Sequence, residues 1–412
     1  MVDVIALTFF NFLSMENISQ RVASLAISQT LAMSQKSREM QAQGIDVINL
    51  SVGEPDFNTP KHIKEAAIKA INENYSHYTP VPGYAELLKA ISNKLKRENN
   101  LDYETSQIIV SNGAKHSLAN VILSLINKGD EVIVPAPYWV SYVELVKLAE
   151  GTNVVIETSI DNDFKITPEQ LKAAITTKTK AMFLCSPSNP SGSLYSKEEL
   201  EALAKVIHES GIDMYILSDE IYEHINFVGK HESIAQFDYI KEKVIIINGV
   251  SKGYAMTGWR IGYIAAPQWI AKACNKIQGQ LTSGASSISQ MASIAALNIE
   301  TDDIGNMVVA FKRRRDFVVK LVSEINGMKV NVPQGAFYLF PEVSSFFGKS
   351  NGEVTISNSS DLAMYILEKA HVATVPGSAF GLDNYVRFSY ATSDKQLEEA
   401  MKRMKNALKE LR

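Results

Sequence analysis

The middle of the chain carries a series of short, continuous apolar runs: Gln107-Ile108-Ile109-Val110, Glu131-Val132-Ile133-Val134, Val154-Val155-Ile156, Ala181-Met182-Phe183-Leu184, Met214-Tyr215-Ile216-Leu217 and Val244-Ile245-Ile246-Ile247. Each has strand length and is rich in branched side chains. Most are separated by stretches with helical spacing, such as Ser117 to Ile126 and Lys197 to Glu209. Runs without polar alternation are buried on both faces, so the spacing predicts an α/β fold with a largely parallel sheet between helices. Residues 15 to 45 read as mostly helical, ending at Gly44 before a short strand, Asp46 to Leu50. Beyond about Ser289 the order changes to long helices, strands at Ala336–Phe340 and Tyr385–Tyr390, and a closing helix from Ser393. That order predicts a smaller α+β domain. The Ser/Asn/Gly-rich piece from Lys349 to Ser360 reads as a loop.

With 412 residues the chain exceeds what one core usually supports, and 46% hydrophobic with 21% charged residues is ordinary globular composition. The expected division is an extension at 1–14, the first part of a small domain at 15–58, a large domain at 59–295, and the rest of the small domain at 296–412. A net charge of -4 gives no general attraction to nucleic acid or anionic lipid, so neither is an expected partner. The basic run Lys312-Arg313-Arg314-Arg315 reads as a solvated helix face. Two distant cysteines, Cys185 and Cys274, form neither a disulfide framework nor a zinc motif, and no histidine has metal-ligand spacing, so no metal is expected. Val4 to Leu13 is apolar, but no Lys or Arg precedes it and no small-residue cleavage site follows. A cytoplasmic protein is expected, with Met15 as an alternative start.

Candidate chemistry concentrates in Ser251-Lys252-Gly253-Tyr254-Ala255-Met256-Thr257-Gly258-Trp259-Arg260-Ile261-Gly262-Tyr263, directly after a strand. Its glycines forbid a regular helix and predict a tight turn at a strand end, where α/β sheets bind ligands. Ser251 offers a hydroxyl and Arg260 a guanidinium fork for a phosphate dianion. Lys252 could attack a carbonyl once burial or nearby cations lower its pKa. Gly249-Val250-Ser251-Lys252-Gly253 also fits a GxSxG nucleophile elbow, with Asp361 and His371 following in hydrolase order. That elbow requires a helix after the serine, which Gly253, Gly258 and Gly262 oppose. The Gly253 to Gly258 stretch mimics a P-loop but continues Trp-Arg instead of Lys-Ser/Thr.

The run from Ser251 to Tyr263 resembles the cofactor-lysine signature of the class I aminotransferases, pyridoxal-phosphate enzymes of fold type I, and especially their bacterial aspartate aminotransferase branch. Matching pieces extend along nearly the whole chain: Ser51-Val52-Gly53-Glu54-Pro55-Asp56-Phe57, Pro137-Tyr138-Trp139-Val140-Ser141-Tyr142, Ser186-Pro187-Ser188-Asn189-Pro190-Ser191-Gly192, Ser218-Asp219-Glu220-Ile221-Tyr222 and Val386-Arg387-Phe388-Ser389-Tyr390-Ala391. The resemblance implies a seven-stranded-type, mostly parallel sheet in the large domain. It also implies transamination between an L-amino acid, most simply aspartate, and a 2-oxo acid such as 2-oxoglutarate, by ping-pong kinetics, with pyridoxal 5'-phosphate held on Lys252 as a Schiff base.

Carried over residue by residue, the resemblance makes Asp219 the partner of the pyridine nitrogen, a role that the chemistry wants independently, because a carboxylate keeps that nitrogen protonated. Asn189 and Tyr222 become donors to the phenolic oxygen, and Trp139 the residue stacked on the ring. Gly113, Ala114, Ser251 and Arg260 become phosphate contacts, the first two at a helix N-terminus. Tyr78 resembles a tyrosine that reaches the phosphate from a neighbouring subunit, which implies a homodimer with shared sites. Arg387 is implied to bind the α-carboxylate, Trp139 and Asn189 to touch the substrate as well as the cofactor, Gly53 to approach the substrate through its backbone, and Lys115, beside the cofactor, to meet a distal carboxylate. His116 is left as structural.

Branch members that also accept prephenate carry an added basic residue where this chain has Ala26 in Arg21 to Ser28, which speaks against prephenate. Two other readings stay open at this point. A carbon-sulfur β-lyase would use the same fold and cofactor. A transcription regulator with an aminotransferase-like module would need a basic DNA-binding domain ahead of Gly53, where the chain has only about fifty residues.

Overall fold

The computed structural model describes residues 18–298 and 302–412. The expectations for Val4–Leu13, Met15 and the 1–14 extension lie outside the described residues. Strand β1 (Ile48–Asn49) precedes the central sheet, whose seven strands are β2 (Ile108–Ser111), β3 (Glu131–Ala136), β4 (Thr152–Glu157), β5 (Thr179–Cys185), β6 (Tyr215–Asp219), β7 (Val244–Gly249) and β8 (Gly262–Ala265). They lie in the order β2-β8-β7-β6-β5-β3-β4. All neighbours are parallel except β8, which runs antiparallel to β2 and β7. The six predicted runs therefore all run one way, and their C-terminal ends share one edge.

Strand β8 went unpredicted because it starts inside the glycine-rich segment read as a turn. Gly262 makes the pairing possible: a Cβ there would overlap the backbone of Gly113 and Ala114. Strands β2, β6, β7 and β8 are buried at every residue, as a lack of polar alternation predicts. One core lies between the sheet and helices such as Ala85–Lys94 and Lys197–Glu209, another between it and Ala114–Leu125 and Gln268–Leu281. Lys197–Glu209 starts on a capping box, Ser196 with Glu199, which fixes the predicted boundary.

The remaining strands are β9 (Tyr338–Leu339), β10 (Val372–Ala373), β11 (Val375–Pro376) and β12 (Val386–Ser389). Strand β1 pairs with β10 in parallel, joining the N-terminal segment to the C-terminal one, and β11-β12-β9 form an antiparallel sheet. These strands pack with the long Asp302–Ser323 helix and the closing Asp394–Leu408 helix around a further core that includes Phe311, Phe337, Val386 and Met404. The segment predicted as one helical stretch from 15 to 45 breaks into Gln20–Ala23 and Gln29–Ala42. The predicted strand at Ala336–Phe340 shortens because Ala336 takes a left-handed φ of 56°. The loop expected through Ser360 ends earlier, where Asn358 caps a helix that begins at Ser359.

One expectation is corrected. Lys312 to Arg315 is a solvated face only in part: Lys312 and Arg313 are exposed, whereas Arg314 and Arg315 are 8% and 7% exposed. Arg314 makes a two-pronged bond to Asp56 at 2.7 and 2.9 Å, with its guanidinium 5.2 Å from the centre of the Phe57 ring. Arg315 donates to the Pro333 carbonyl. The run thus pins the turn after Gly53 to the Asp302–Ser323 helix.

Beneath the ends of β6 and β7 lies a buried ionic cluster. Lys94, with no exposure, pairs with Glu223, whose carboxylate also accepts from Asn99 at 2.9 Å and Asn248 at 2.8 Å. Burial opposes the Glu223 charge, but Lys94 and the neighbouring histidines outweigh it and hold the carboxyl far below its usual range. Removing one partner of such a pair strands a buried charge, so Lys94→Met should lose about 3–5 kcal/mol in urea unfolding. Lys94→Met combined with Glu223→Gln should recover part of that loss.

Candidate functional site

A cavity of about 260 Å³ opens at the C-terminal edge of the central sheet. It is where α/β folds bind ligands, because the strand ends leave room between the connecting loops. Its wall gathers Gly53, Ala114, Lys115, Trp139, Asn189, Asp219, Tyr222, Ser251, Lys252, Arg260 and Arg387 from segments spread across more than three hundred residues. Gly113 adjoins the wall through Ala114. Tyr78 does not join it and stands fully exposed at 100%.

Lys252 sits in a turn three residues after β7. Its Nζ donates to the Gly53 carbonyl at 2.5 Å and lies 5.8 Å from the centre of the Tyr222 ring. Burial lowers its pKa to about 8, helped by Arg387 and Arg260 and opposed by Glu54 and Asp219. About a tenth of the amine is then free at pH 7, against well under a hundredth for an ordinary lysine, and a nucleophile needs that free form. Apoprotein should therefore capture pyridoxal phosphate faster as pH rises through about 8 and level off above it, as stopped-flow absorbance would record.

Asp219 ends β6 and is 4% exposed. Burial pushes its carboxyl up to about 6, against the Tyr142 hydroxyl bond and the Ile221 N–H, which both favour the charged form. Tyr142 donates to Oδ2 at 2.6 Å and Ile221 N–H to Oδ1 at 3.3 Å. Asn189 precedes a cis proline and is 6% exposed. The Tyr222 hydroxyl lies 2.7 Å from that of Tyr338.

Arg387, on β12, is 2% exposed. It donates to Asn189 Oδ1 at 3.0 Å and to the Ser51 carbonyl at 2.6 Å, while its Nε has no partner among the described residues. Its guanidinium lies 4.6 Å from the centre of the Tyr338 ring and 4.9 Å from that of Phe380, so two aromatic faces fix its plane. Gly53 is required opposite: a Cβ there would overlap the Tyr338 hydroxyl.

At the other end, the twelve-residue helix Ala114–Leu125 points its N-terminus at the wall. Gly113 takes φ 87°, and a Cβ on it would overlap the Arg260 guanidinium. Arg260, itself left-handed at φ 57°, donates to the carbonyls of Thr257 at 3.0 Å and Asn112 at 3.3 Å. Free helix N–H groups, the Ser251 hydroxyl and this guanidinium form a suitable donor set for a phosphate dianion. Gly262→Ala would press a methyl group into the backbone at Ala114, so cofactor affinity measured by equilibrium dialysis should fall more than about tenfold, the cost of overpacking being roughly 1–3 kcal/mol. Lys115 has its Nζ 4.9 Å from the centre of the Trp139 ring, and burial and then Arg260 lower its pKa.

The cavity also holds residues to which the sequence assigned no role: Tyr142, Tyr338, Cys185, Ser28, Thr30 and Leu31. Tyr142 closes the segment Pro137 to Tyr142 and Tyr338 lies in a predicted strand, so the sequence shows both only as packing. The hydrolase reading does not assemble, because neither Asp361 nor His371 lines the cavity with Ser251. Among the described residues, His224 meets Glu98 and Glu223, and His231 meets Glu220 and Glu223, groupings that the linear spacing hid. His116 accepts from Asn112 N–H at 3.2 Å.

The family model for aminotransferase class I and II matches residues 45–404. Relatives include the bifunctional aspartate aminotransferase and glutamate/aspartate-prephenate aminotransferase of Petunia hybrida, 47% identical over 95% of this chain and 83% of its own. The aspartate/prephenate aminotransferase of Nitrosomonas europaea is 46% identical over 95% and 99%. Among solved structures, the aspartate aminotransferase of Rhizobium meliloti superposes with a TM-score of 0.93 at 43% identity, covering 96% of this chain and 100% of that one. The Thermus thermophilus enzyme with maleate gives 0.88 at 38% identity, over 95% and 99%. Among the described residues no helix is long and apolar enough to cross a membrane. The chain belongs to the class I and II aminotransferases, enzymes that depend on pyridoxal phosphate.

Proposed function

We propose that this chain transfers the amino group of L-aspartate to 2-oxoglutarate, with Lys252 as its catalytic residue. The observation that carries the reading is the convergence of Lys252, Asp219 and Arg387 on one cavity with a phosphate-binding donor set at its far end. The donors present fit the cofactor: Gly113, Ala114, Ser251 and Arg260 for its phosphate, Asp219 for its ring nitrogen, Asn189 and Tyr222 for its phenolic oxygen, and Trp139 for its ring face. When bound, pyridoxal phosphate supplies a conjugated ring that accepts the electron pair left at the substrate Cα.

The protein's own contributions follow from the geometry. Arg387 holds the α-carboxylate in its fork, so the Cα–H is oriented toward Lys252. Lys252 Nζ, once free, would serve as the base that takes the proton from Cα and as the acid that gives it back. Gly53 presents backbone where a side chain would block the substrate. Lys115 meets the distal carboxylate of a dicarboxylic substrate. The donor leaves as an oxo acid before the acceptor binds, so initial rates should give the parallel lines of ping-pong kinetics.

The names of the Petunia and Nitrosomonas relatives include prephenate. In this chain the N-terminal residues lining the cavity are Ser28, Thr30 and Leu31, and Ala26 donates its N–H to Glu144 at 2.8 Å. None is basic, which supports the dicarboxylic pair over prephenate. The full exposure of Tyr78 suits a homodimer in which this hydroxyl serves the partner subunit's site. The division at 15–58 and 296–412 against 59–295 suits closure of a small unit over the cavity, and two free thiols suit the cytoplasm.

An amino-donor panel with 2-oxoglutarate tests the reading. Glutamate formed fastest from aspartate is expected. Pyruvate and ammonia released from cystathionine, without glutamate, would replace transamination by β-elimination.

A further inference from the structure

Asp219 must stay ionised to serve the reaction proposed above, yet it is buried at the end of β6 where burial favours its neutral form. Four titratable groups face it: Tyr142 from the Ser141–Leu148 helix, Cys185 from β5, its neighbour Glu220, and Lys252 from the turn after β7. Lys252 favours the charged carboxylate and Glu220 opposes it. Glu220 is itself engaged by Ser218 at 2.8 Å, Ser233 at 2.6 Å and His231 at 3.1 Å. Burial pushes the Cys185 thiol up to about 12, so it remains uncharged and offers no compensation.

That leaves Tyr142, 1% exposed, as the hydroxyl that donates directly to Asp219, at 2.6 Å on Oδ2. Its ring is stacked on Phe183 at 4.2 Å between centroids and 6° between planes, and meets Trp139 edge-on at 5.6 Å. The hydroxyl is therefore held by packing and has no freedom to follow a rotating carboxylate. Buried and beside an anion, Tyr142 keeps its proton far above the ordinary phenol range, so it acts only as a donor.

We propose that Tyr142 is a positioning residue for transamination: by donating to Oδ2 from a ring clamped on Phe183, it fixes the Asp219 carboxylate toward the cavity. The same bond favours the charged form, which a carboxylate needs to hold a protonated ring nitrogen. The inference rests on the assignment of Asp219 made above.

Tyr142→Phe keeps the stack and removes only the donor. Both holoenzymes are titrated for kcat against pH and for the visible absorption of the bound cofactor, and cofactor affinity is measured by dialysis. The acid limb of kcat should move up by about one pH unit, the scale for losing one hydrogen bond to a charged group. The absorption titration should shift with it, and the KM for aspartate should stay within about twofold, since the bond does not touch the substrate-binding groups. Tyr142→His, which can still donate, should restore part of the shift, and it replaces the Phe variant if that one does not fold. Acid limb and spectrum coincident with wild type, whatever the value of kcat, would overturn the role of Tyr142. A wild-type protein that binds no pyridoxal phosphate would instead overturn the underlying site assignment.

Discussion

Lys252→Ala should lower kcat for transamination by at least about 10⁴-fold, because one amine both holds the cofactor and carries the proton. The fold should survive the change, since among the described residues the Lys252 side chain has a single hydrogen bond, to the Gly53 carbonyl, and the turn around it is set by Ser251, Gly253 and Ala255. The variant should still bind pyridoxal phosphate through Ser251, Arg260 and the Ala114–Leu125 helix, now reversibly. Far-ultraviolet circular dichroism and dialysis verify fold and binding, and a coupled assay reads the loss. Multiple turnover at the wild-type rate would contradict the assignment.

Arg387→Lys should lower kcat/KM for aspartate by about 10²-fold or more, equivalent to roughly 2.7 kcal/mol, mostly through KM. Lysine keeps the charge but cannot match a carboxylate with two parallel bonds. It also cannot lie flat between Tyr338 and Phe380. The loss should be common to every amino donor, because each presents an α-carboxylate. Lys115→Ala should instead weaken aspartate and glutamate while leaving an alkyl donor such as alanine nearly unchanged. A steady-state comparison of the three donors with both variants separates the two carboxylate roles. Equal losses for alanine and aspartate in Lys115→Ala would remove Lys115 from the account.

Residues whose identity is dictated by chemistry within one short segment were legible without coordinates. Lys252 and Arg260 lie in one glycine-rich run, and Asp219 ends one strand with Tyr222 three residues on. The parallel sheet was legible for a similar reason, since strands buried on both faces lose the polar alternation that other strands keep. What stayed hidden depends on partners far along the chain. Lys94 and Glu223 meet across 129 positions, and Arg314 meets Asp56 across 258. A charge run on an amphipathic helix looks solvated until its distant carboxylate arrives. Strand β8 was concealed because glycine signals a turn, whereas Gly262 is there to admit the backbone of Ala114. Tyr142 and Tyr338 read as core aromatics because a phenol shows its hydrogen-bonding role only when its acceptor is in place.

Every role assigned to the cavity requires the amine at position 252 to bond the cofactor aldehyde. Protein saturated with pyridoxal phosphate, reduced with borohydride and digested, should carry one phosphopyridoxyl group per chain, on the peptide containing Lys252. A label on Lys115 or any other lysine, or no label at all, would contradict it.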